Sequence, residues 1–208
     1  MGMPMRIGVL ASGRGTNLQA LLDAQAAGRL GAEIVVVVSD NPNAQALARA
    51  HRHGIPTRVL EPKDYGSRED FDRALAALLQ AHRVELVVLA GYMRLLSPVM
   101  LQAFPQRIIN IHPSLLPSFP GLNAPKQAWR YGVKYTGCTV HFVDEGMDTG
   151  PIIAQRVVPV DPQDTVEELA AKILREEHRL LPQVVRWLAE GRVILQGRRV
   201  FIKEDDGC

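Results

Sequence analysis

Apolar residues alternate along this chain between short β-branched runs and stretches where they recur three and four apart. That is the signature of strands interleaved with amphipathic helices. Residues 6–11 read as a first strand, closed by Ser-Gly-Arg-Gly-Thr-Asn at 12–17. A helix follows with Leu18, Leu21 and Leu22 on its apolar face. Its predicted start is Thr16 as N-cap, with Gln19 completing a capping box. Residues 33–39, with four consecutive valines, predict a strand buried on both faces, as parallel sheets require. A helix over 44–53, ended by Gly54, and a short strand over 57–60 come next. Residues 68–82 are predicted helical, with Phe71, Leu75, Leu78 and Leu79 at core spacing. Residues 86–90 form another apolar strand, broken at Gly91.

Beyond these, Ile108 and Ile109 end a buried strand that runs into Asn110 and His112, and Pro113 stops it. A proline-rich loop leads to a short helix over 124–131. Strands over 137–143 and 151–160, joined by Asp-Glu-Gly-Met-Asp-Thr-Gly, predict an antiparallel pair because their connection is short. Thr165, boxed by Glu168, opens a long final helix with Leu169, Ile173, Leu181, Val184, Val185 and Leu188 inward and a kink expected at Pro182. Residues 192–203 predict a terminal hairpin around Gln196-Gly197. The order implies an α/β fold: a mostly parallel, doubly wound, Rossmann-like sheet extended by an antiparallel C-terminal strand pair. No repeat or linker interrupts it, so residues 1–208 are expected to form one domain, with halves at about 1–105 and 106–208.

Composition changes this picture only by exclusion. Hydrophobic residues make up 47% of the 208 and charged residues 22%, which is globular rather than disordered. A net charge of +2 from dispersed signs suggests no nucleic-acid partner. Two distant cysteines, Cys138 and Cys208, make neither a disulfide framework nor a zinc site and fit a reducing compartment. No apolar stretch approaches the ~18 residues of a membrane span, and no signal peptide is evident. The expectation is a soluble, cytoplasmic protein, monomer or homodimer, that works on small molecules.

In doubly wound sheets, ligands sit beyond the carboxyl ends of the strands. The 12–17 loop, the 91–94 segment and Asn110/His112 all fall there, so three loops are expected to converge. The glycines, hydroxyl and amide of the first loop at a helix start make a phosphate cradle. It is not a P-loop, and Leu18 replaces the third glycine of a dinucleotide fingerprint. Asp40, ending the second strand, keeps a nicotinamide-cofactor reading open, with turn formation as its ordinary role. Asn110 and His112, two apart on a strand, share a face. An amide and an imidazole there can polarise a carbonyl and move a proton. Asp148 is expected to swing toward His112 and orient it. Taken singly, each has a bland alternative: a turn cap, a core histidine, a solvated acidic loop. Ser114 is expected to make a turn hydrogen bond rather than act as nucleophile, so the set suits a substrate that brings its own. His51 and His53 diverge on their helix, His141 and His178 lack ligand-spaced partners, and no metal site is assigned.

Together, Asn-Ile-His-Pro-Ser-Leu-Leu-Pro-Ser-Phe-Pro-Gly at 110–121 and Asp-Thr-Gly-Pro at 148–151 resemble the folate-dependent formyltransferases. Ser-Gly-Arg-Gly-Thr-Asn-Leu-Gln-Ala-Leu-Leu near the N-terminus and Leu-Ala-Gly-Tyr-Met-Arg-Leu-Leu-Ser-Pro at 89–98 are similar to the branch acting on glycinamide ribonucleotide. The resemblance covers nearly the whole chain. It implies the formyltransferase fold and transfer of the formyl group of 10-formyltetrahydrofolate, without a metal, to the amine of 5-phosphoribosylglycinamide in purine biosynthesis. It implies Asn110, His112 and Asp148 as catalytic, and Gly15, Thr16, Asn17 and Glu177 as phosphate- and ribose-binding. Arg68, Met93, Arg94, Leu95, Leu96 and Asn110 are implied as folate-binding. The N-terminal half would hold the nucleotide phosphate and the C-terminal half the catalytic and folate groups. Asn123 stands where bacterial members carry histidine, which leaves any auxiliary role of that position open.

The alternatives are a 10-formyltetrahydrofolate hydrolase with water as nucleophile, a methionyl-tRNA formyltransferase, and a non-catalytic nucleotide- or phosphate-binding module. The first two are expected to carry an extra N- or C-terminal domain. The last has no need of Asn110, His112 and Asp148 together.

Overall fold

The structure is a computed structural model that describes residues 3–204; Cys208 lies outside them. Its element order is β1 (Met5–Leu10), α1 (Thr16–Ala26), β2 (Ala32–Ser39), α2 (Gln45–Arg52), β3 (Thr57–Val59), α3 (Arg68–Ala81), β4 (Leu86–Leu89), α4 (Pro98–Ala103), β5 (Ile108–His112), α5 (Ala124–Tyr131), β6 (Tyr135–Phe142), β7 (Ile152–Pro159), α6 (Val166–Ala189), β8 (Val193–Gln196) and β9 (Arg199–Ile202). Seven strands form one sheet in the order β3-β2-β1-β4-β5-β6-β7, and β8 and β9 form a separate pair. Strands β1 to β5 pair in parallel, whereas β6 and β7 are antiparallel. The order reverses between β1 and β4, which defines a doubly wound sheet and its switch point. The chain divides into two compact units between Asn110 and Ile111.

In the first unit, Ile7, Val9 and Leu10 of β1, Val36 and Val37 of β2 and Leu86 to Val88 of β4 are all but inaccessible to solvent. Burial of both faces of these strands is what the valine run requires. Val38, Leu10, Leu89 and Asn110 stand in register across four neighbouring strands, so the strands' carboxyl ends are level. Helix α3 follows its N-cap Ser67, whose side chain accepts the Asp70 N–H, and buries Phe71, Leu75 and Leu79. Leu78 is only half-buried.

The start of α1 differs from expectation. Gly15 is the N-cap, in a left-handed conformation with φ 69°, and no side chain caps the helix. Thr16 is already the first helical residue, and the Gln19 N–H bonds the Gly15 carbonyl at 2.9 Å. A glycine that adopts the left-handed well without penalty displaces the hydroxyl from the cap, so the Thr16/Gln19 box does not form. Helix α4 was not anticipated; Ser97 precedes Pro98 at its first turn, a start signal too short to show a period.

In the second unit, α6 opens with the full Thr165/Glu168 capping box and runs unbroken through Pro182. It buries Leu169, Ile173, Leu181, Val184, Val185 and Leu188 against β6 and β7. Gly197, with φ 61°, turns the β8–β9 hairpin.

Candidate active site

The loop after β1 is held in the first unit by backbone bonds. The Ala46 N–H donates to Gly13 O at 3.1 Å, and Arg49 Nε donates to Arg14 O at 2.8 Å. A Cβ on Gly15 would stand 2.7 Å from both Cα and Cβ of Ala46, so only glycine fits between the loop and α2. The N–H groups of Thr16, Asn17 and Leu18 have no carbonyl of their own helix to bond. Asn17 is buried, and its Oδ1 has no partner among the described residues. Orphan N–H groups and the helix dipole are what a bound phosphate completes, whereas Asn17 Oδ1, an acceptor, asks for a donor such as a ligand hydroxyl.

The 91–97 segment joins that loop. Ser12 N donates to Gly91 O at 3.1 Å, and Met93 N donates to Ser12 Oγ at 3.0 Å. Asn41 Nδ2 donates to Ser12 O at 3.3 Å. The segment is fixed to α3: Ser97 N donates to Asp72 Oδ2 at 2.5 Å, and the Arg94 guanidinium lies 4.8 Å from the Phe71 ring centroid. Met93 is 63% exposed and Leu95 is exposed too, while Leu96 is buried. Arg68, at the start of α3, is solvent-facing and pairs loosely with Glu69 at 3.8 Å. Of these five positions Met93 and Leu95 expose apolar side chains and Arg68 a cationic one, and Gly91 and Met93 bond directly to Ser12 of the first loop. Asp40 is half-buried; the turn after β2 is held by Ser39 Oγ and Asn41 Oδ1, each accepting a backbone N–H.

Asn110 and His112 occupy β5 two residues apart. His112 is buried, and its Nε2 lies 2.9 Å from the Phe119 carbonyl. A carbonyl only accepts, so Nε2 carries a proton there. The other ring nitrogen, Nδ1, stands 3.4 Å from Asp148 Oδ2. That oxygen also accepts the Gly121 N–H at 2.8 Å. Asp148 sits in the left-handed region at φ 55°, a conformation that aspartate adopts more readily than most residues. Asp144 Oδ1 accepts from Gly146 N at 3.1 Å and Thr149 Oγ1 at 2.6 Å, which shapes the loop around Asp148. Ser114 Oγ donates to Ser118 O at 2.6 Å, the turn bond expected of it.

The second imidazole at Asp148 was not legible in the sequence. His141 Nε2 lies 3.8 Å from Asp148 Oδ1, and Nδ1 lies 2.8 Å from the Phe142 carbonyl. Burial pushes His141 below its ordinary pKa, against the opposing pulls of the Phe142 carbonyl and Asp148. Its only sequence signal is a histidine at the end of a strand otherwise apolar or small, seven positions before the aspartate in the same hairpin. Glu177 is 5% exposed on the inner face of α6. Asn123, at φ 55°, is the N-cap of α5 without a side-chain cap bond. His51 and His53 are exposed.

Within the second unit the arrangement offers an imidazole of fixed orientation and a carboxylate that can hold or take a proton, and Asn110 precedes His112 by two residues on β5. A sequence profile described as "Formyl transferase" matches residues 5–185. Phosphoribosylglycinamide formyltransferase of Bacillus subtilis is 46% identical over 88% of this chain and 94% of its own length. The trifunctional purine biosynthetic protein adenosine-3 of Gallus gallus is 48% identical over 91% of this chain, which spans only 19% of that relative. The crystal structure of glycinamide ribonucleotide transformylase 1 from Symbiobacterium toebii superimposes with a TM-score of 0.96 at 56% identity, covering 98% of this chain and 96% of that one. With a profile match over most of its length and relatives of this similarity, the chain belongs to the formyl transferase family.

Proposed function

We propose that this enzyme transfers the formyl group of 10-formyltetrahydrofolate to the amine of 5-phosphoribosylglycinamide, in purine biosynthesis. The observation that carries the reading is the His112 Nδ1 to Asp148 Oδ2 approach of 3.4 Å on a strand that also bears Asn110. Family membership and the names of relatives that match over nearly their whole length support the choice of donor and acceptor.

In this account the neutral amine attacks the formyl carbon, a C–N bond forms, and the carbonyl oxygen becomes a tetrahedral oxyanion. Asn110 donates to that oxygen; removal of such a donor costs ~10²–10³ in rate. His112 contributes through its Nε2 proton, which passes from its bond with the Phe119 carbonyl to the oxyanion or to the departing folate nitrogen, at about 10²–10⁴ in rate. Asp148 holds the imidazole and takes up the amine's proton, directly or through water, as the bond to the folate nitrogen breaks. The nucleophile comes from the substrate, and the chemistry asks for no metal. Gly15, Thr16 and Asn17 hold the acceptor's phosphate and Glu177 its ribose, while Arg68, Asn110 and Met93 to Leu96 hold the folate.

A 10-formyltetrahydrofolate hydrolase would use the same trio with water. An absorbance assay of folate release, with phosphoribosylglycinamide present or absent, separates the two. Deformylation only with the amine supports the transferase; deformylation in both cases makes water the nucleophile; reaction in neither overturns both readings.

A further inference from the structure

The β8–β9 hairpin has no part in the chemistry above, yet its turn reaches the loop that carries Asp148. Arg198, next to Gly197 in that turn, donates from Nη2 to the Thr149 carbonyl at 2.7 Å. The hairpin is a firm base for such a contact. Lys203 N donates to Arg192 O at 2.9 Å, Arg192 Nε donates to Lys203 O at 2.8 Å, and β9 packs beside β7. Thr149 follows Asp148 directly, and its hydroxyl is already held by Asp144 at 2.6 Å. On its other side Gly150 lies so close to the Phe142 carbonyl that a Cβ there would overlap it. Thr149 is thus gripped by side chain, carbonyl and following residue, and the left-handed Asp148 has little freedom to swing away from His112.

We propose that Arg198 is a positioning residue: its guanidinium, presented by the C-terminal hairpin, fixes the Thr149 carbonyl and so keeps the Asp148 carboxylate against His112. The proposal rests on the reading of His112 and Asp148 as the proton-handling pair. A charged donor on a neutral carbonyl makes one of the stronger hydrogen bonds available to an exposed loop. Small displacements of a catalytic group carry large rate penalties. A tether of this kind therefore acts on turnover rather than on substrate affinity.

The test compares wild type, Arg198→Ala, Arg198→Lys and, as a neighbouring control, Arg199→Ala, in kcat, both KM values and backbone amide exchange of residues 144–150. The expected result for Arg198→Ala is a kcat lowered about 5- to 20-fold, with each KM within about twofold of wild type. Arg198→Lys recovers part of the loss, since one ammonium can reach the carbonyl without the planar fork. Arg199→Ala behaves as wild type. Exchange over 144–150 quickens in Arg198→Ala, a readout that does not depend on the reaction. Wild-type kcat in Arg198→Ala beside an active parent overturns the proposal, and so does unchanged exchange of the loop. An inactive parent with quickened exchange in the variant instead overturns the functional reading and leaves the tether supported.

Discussion

His112 Nδ1 and Asp148 Oδ2 stand 3.4 Å apart, and the same carboxylate oxygen accepts the Gly121 N–H at 2.8 Å. The aspartate is therefore held by the loop that follows β5 while it faces the imidazole on β5 itself. Its backbone conformation, φ 55°, is one that asparagine shares at little cost. Asp148→Asn should keep the loop and remove only the charge. Turnover is predicted to fall by ~10²–10⁴, with thermal stability close to wild type. Retention of wild-type kcat would remove the carboxylate from the mechanism.

Asn110 pairs in register with Leu89, level with the carboxyl ends of the parallel strands. Asn110→Ala is expected to lower kcat by about 10²–10³. Steady-state kinetics with the acceptor saturating checks this. A change confined to the folate KM would make Asn110 a binding residue alone.

Gly15 has φ 69° and no space for a Cβ beside Ala46. Gly15→Ala is predicted to cost about 1–3 kcal/mol of stability from strain and overlap. It should also raise the KM for phosphoribosylglycinamide more than that for the folate. Urea unfolding and paired KM measurements test both parts; a rise only in the folate KM would detach this loop from the phosphate.

The strands and most helices follow from local physics that the sequence displays. The valine run of β2 and the Thr165/Glu168 box of α6 are short-range features, and both form as read. The start of α1 departs from expectation because a hydroxyl beside a glycine suggests a cap, whereas the left-handed glycine takes that place. Helix α4, six residues long, is too short to display a period. The approach of Asp148 to His112 follows from a loop between two strands that can swing toward β5 and from the motif resemblance, since no spacing rule links residues on different elements. His141 carries no spacing signal for the same reason: its relation to Asp148 exists only once the β6–β7 hairpin has closed.

His141 also sets a pH dependence. Burial holds its pKa in the fold below the ordinary 6.5. Between the folded value and about 6.5 the unfolded chain binds a proton that the fold resists. This contribution to stability is therefore complete above about pH 6.5 and declines as pH falls toward the folded value. His141→Gln should show a smaller loss of urea midpoint than wild type between about pH 7.5 and 5.5. An NMR titration of the His141 ring reports the same shift directly, and a midpoint at or above 6.5 would contradict it.

The most direct test of the central claim is single-turnover formyl transfer by His112→Ala, with circular dichroism to verify that the fold is retained. The account predicts a rate lower by ~10²–10⁴ at substrate concentrations that saturate both sites. A folded His112→Ala enzyme that transfers the formyl group at the wild-type rate would contradict it.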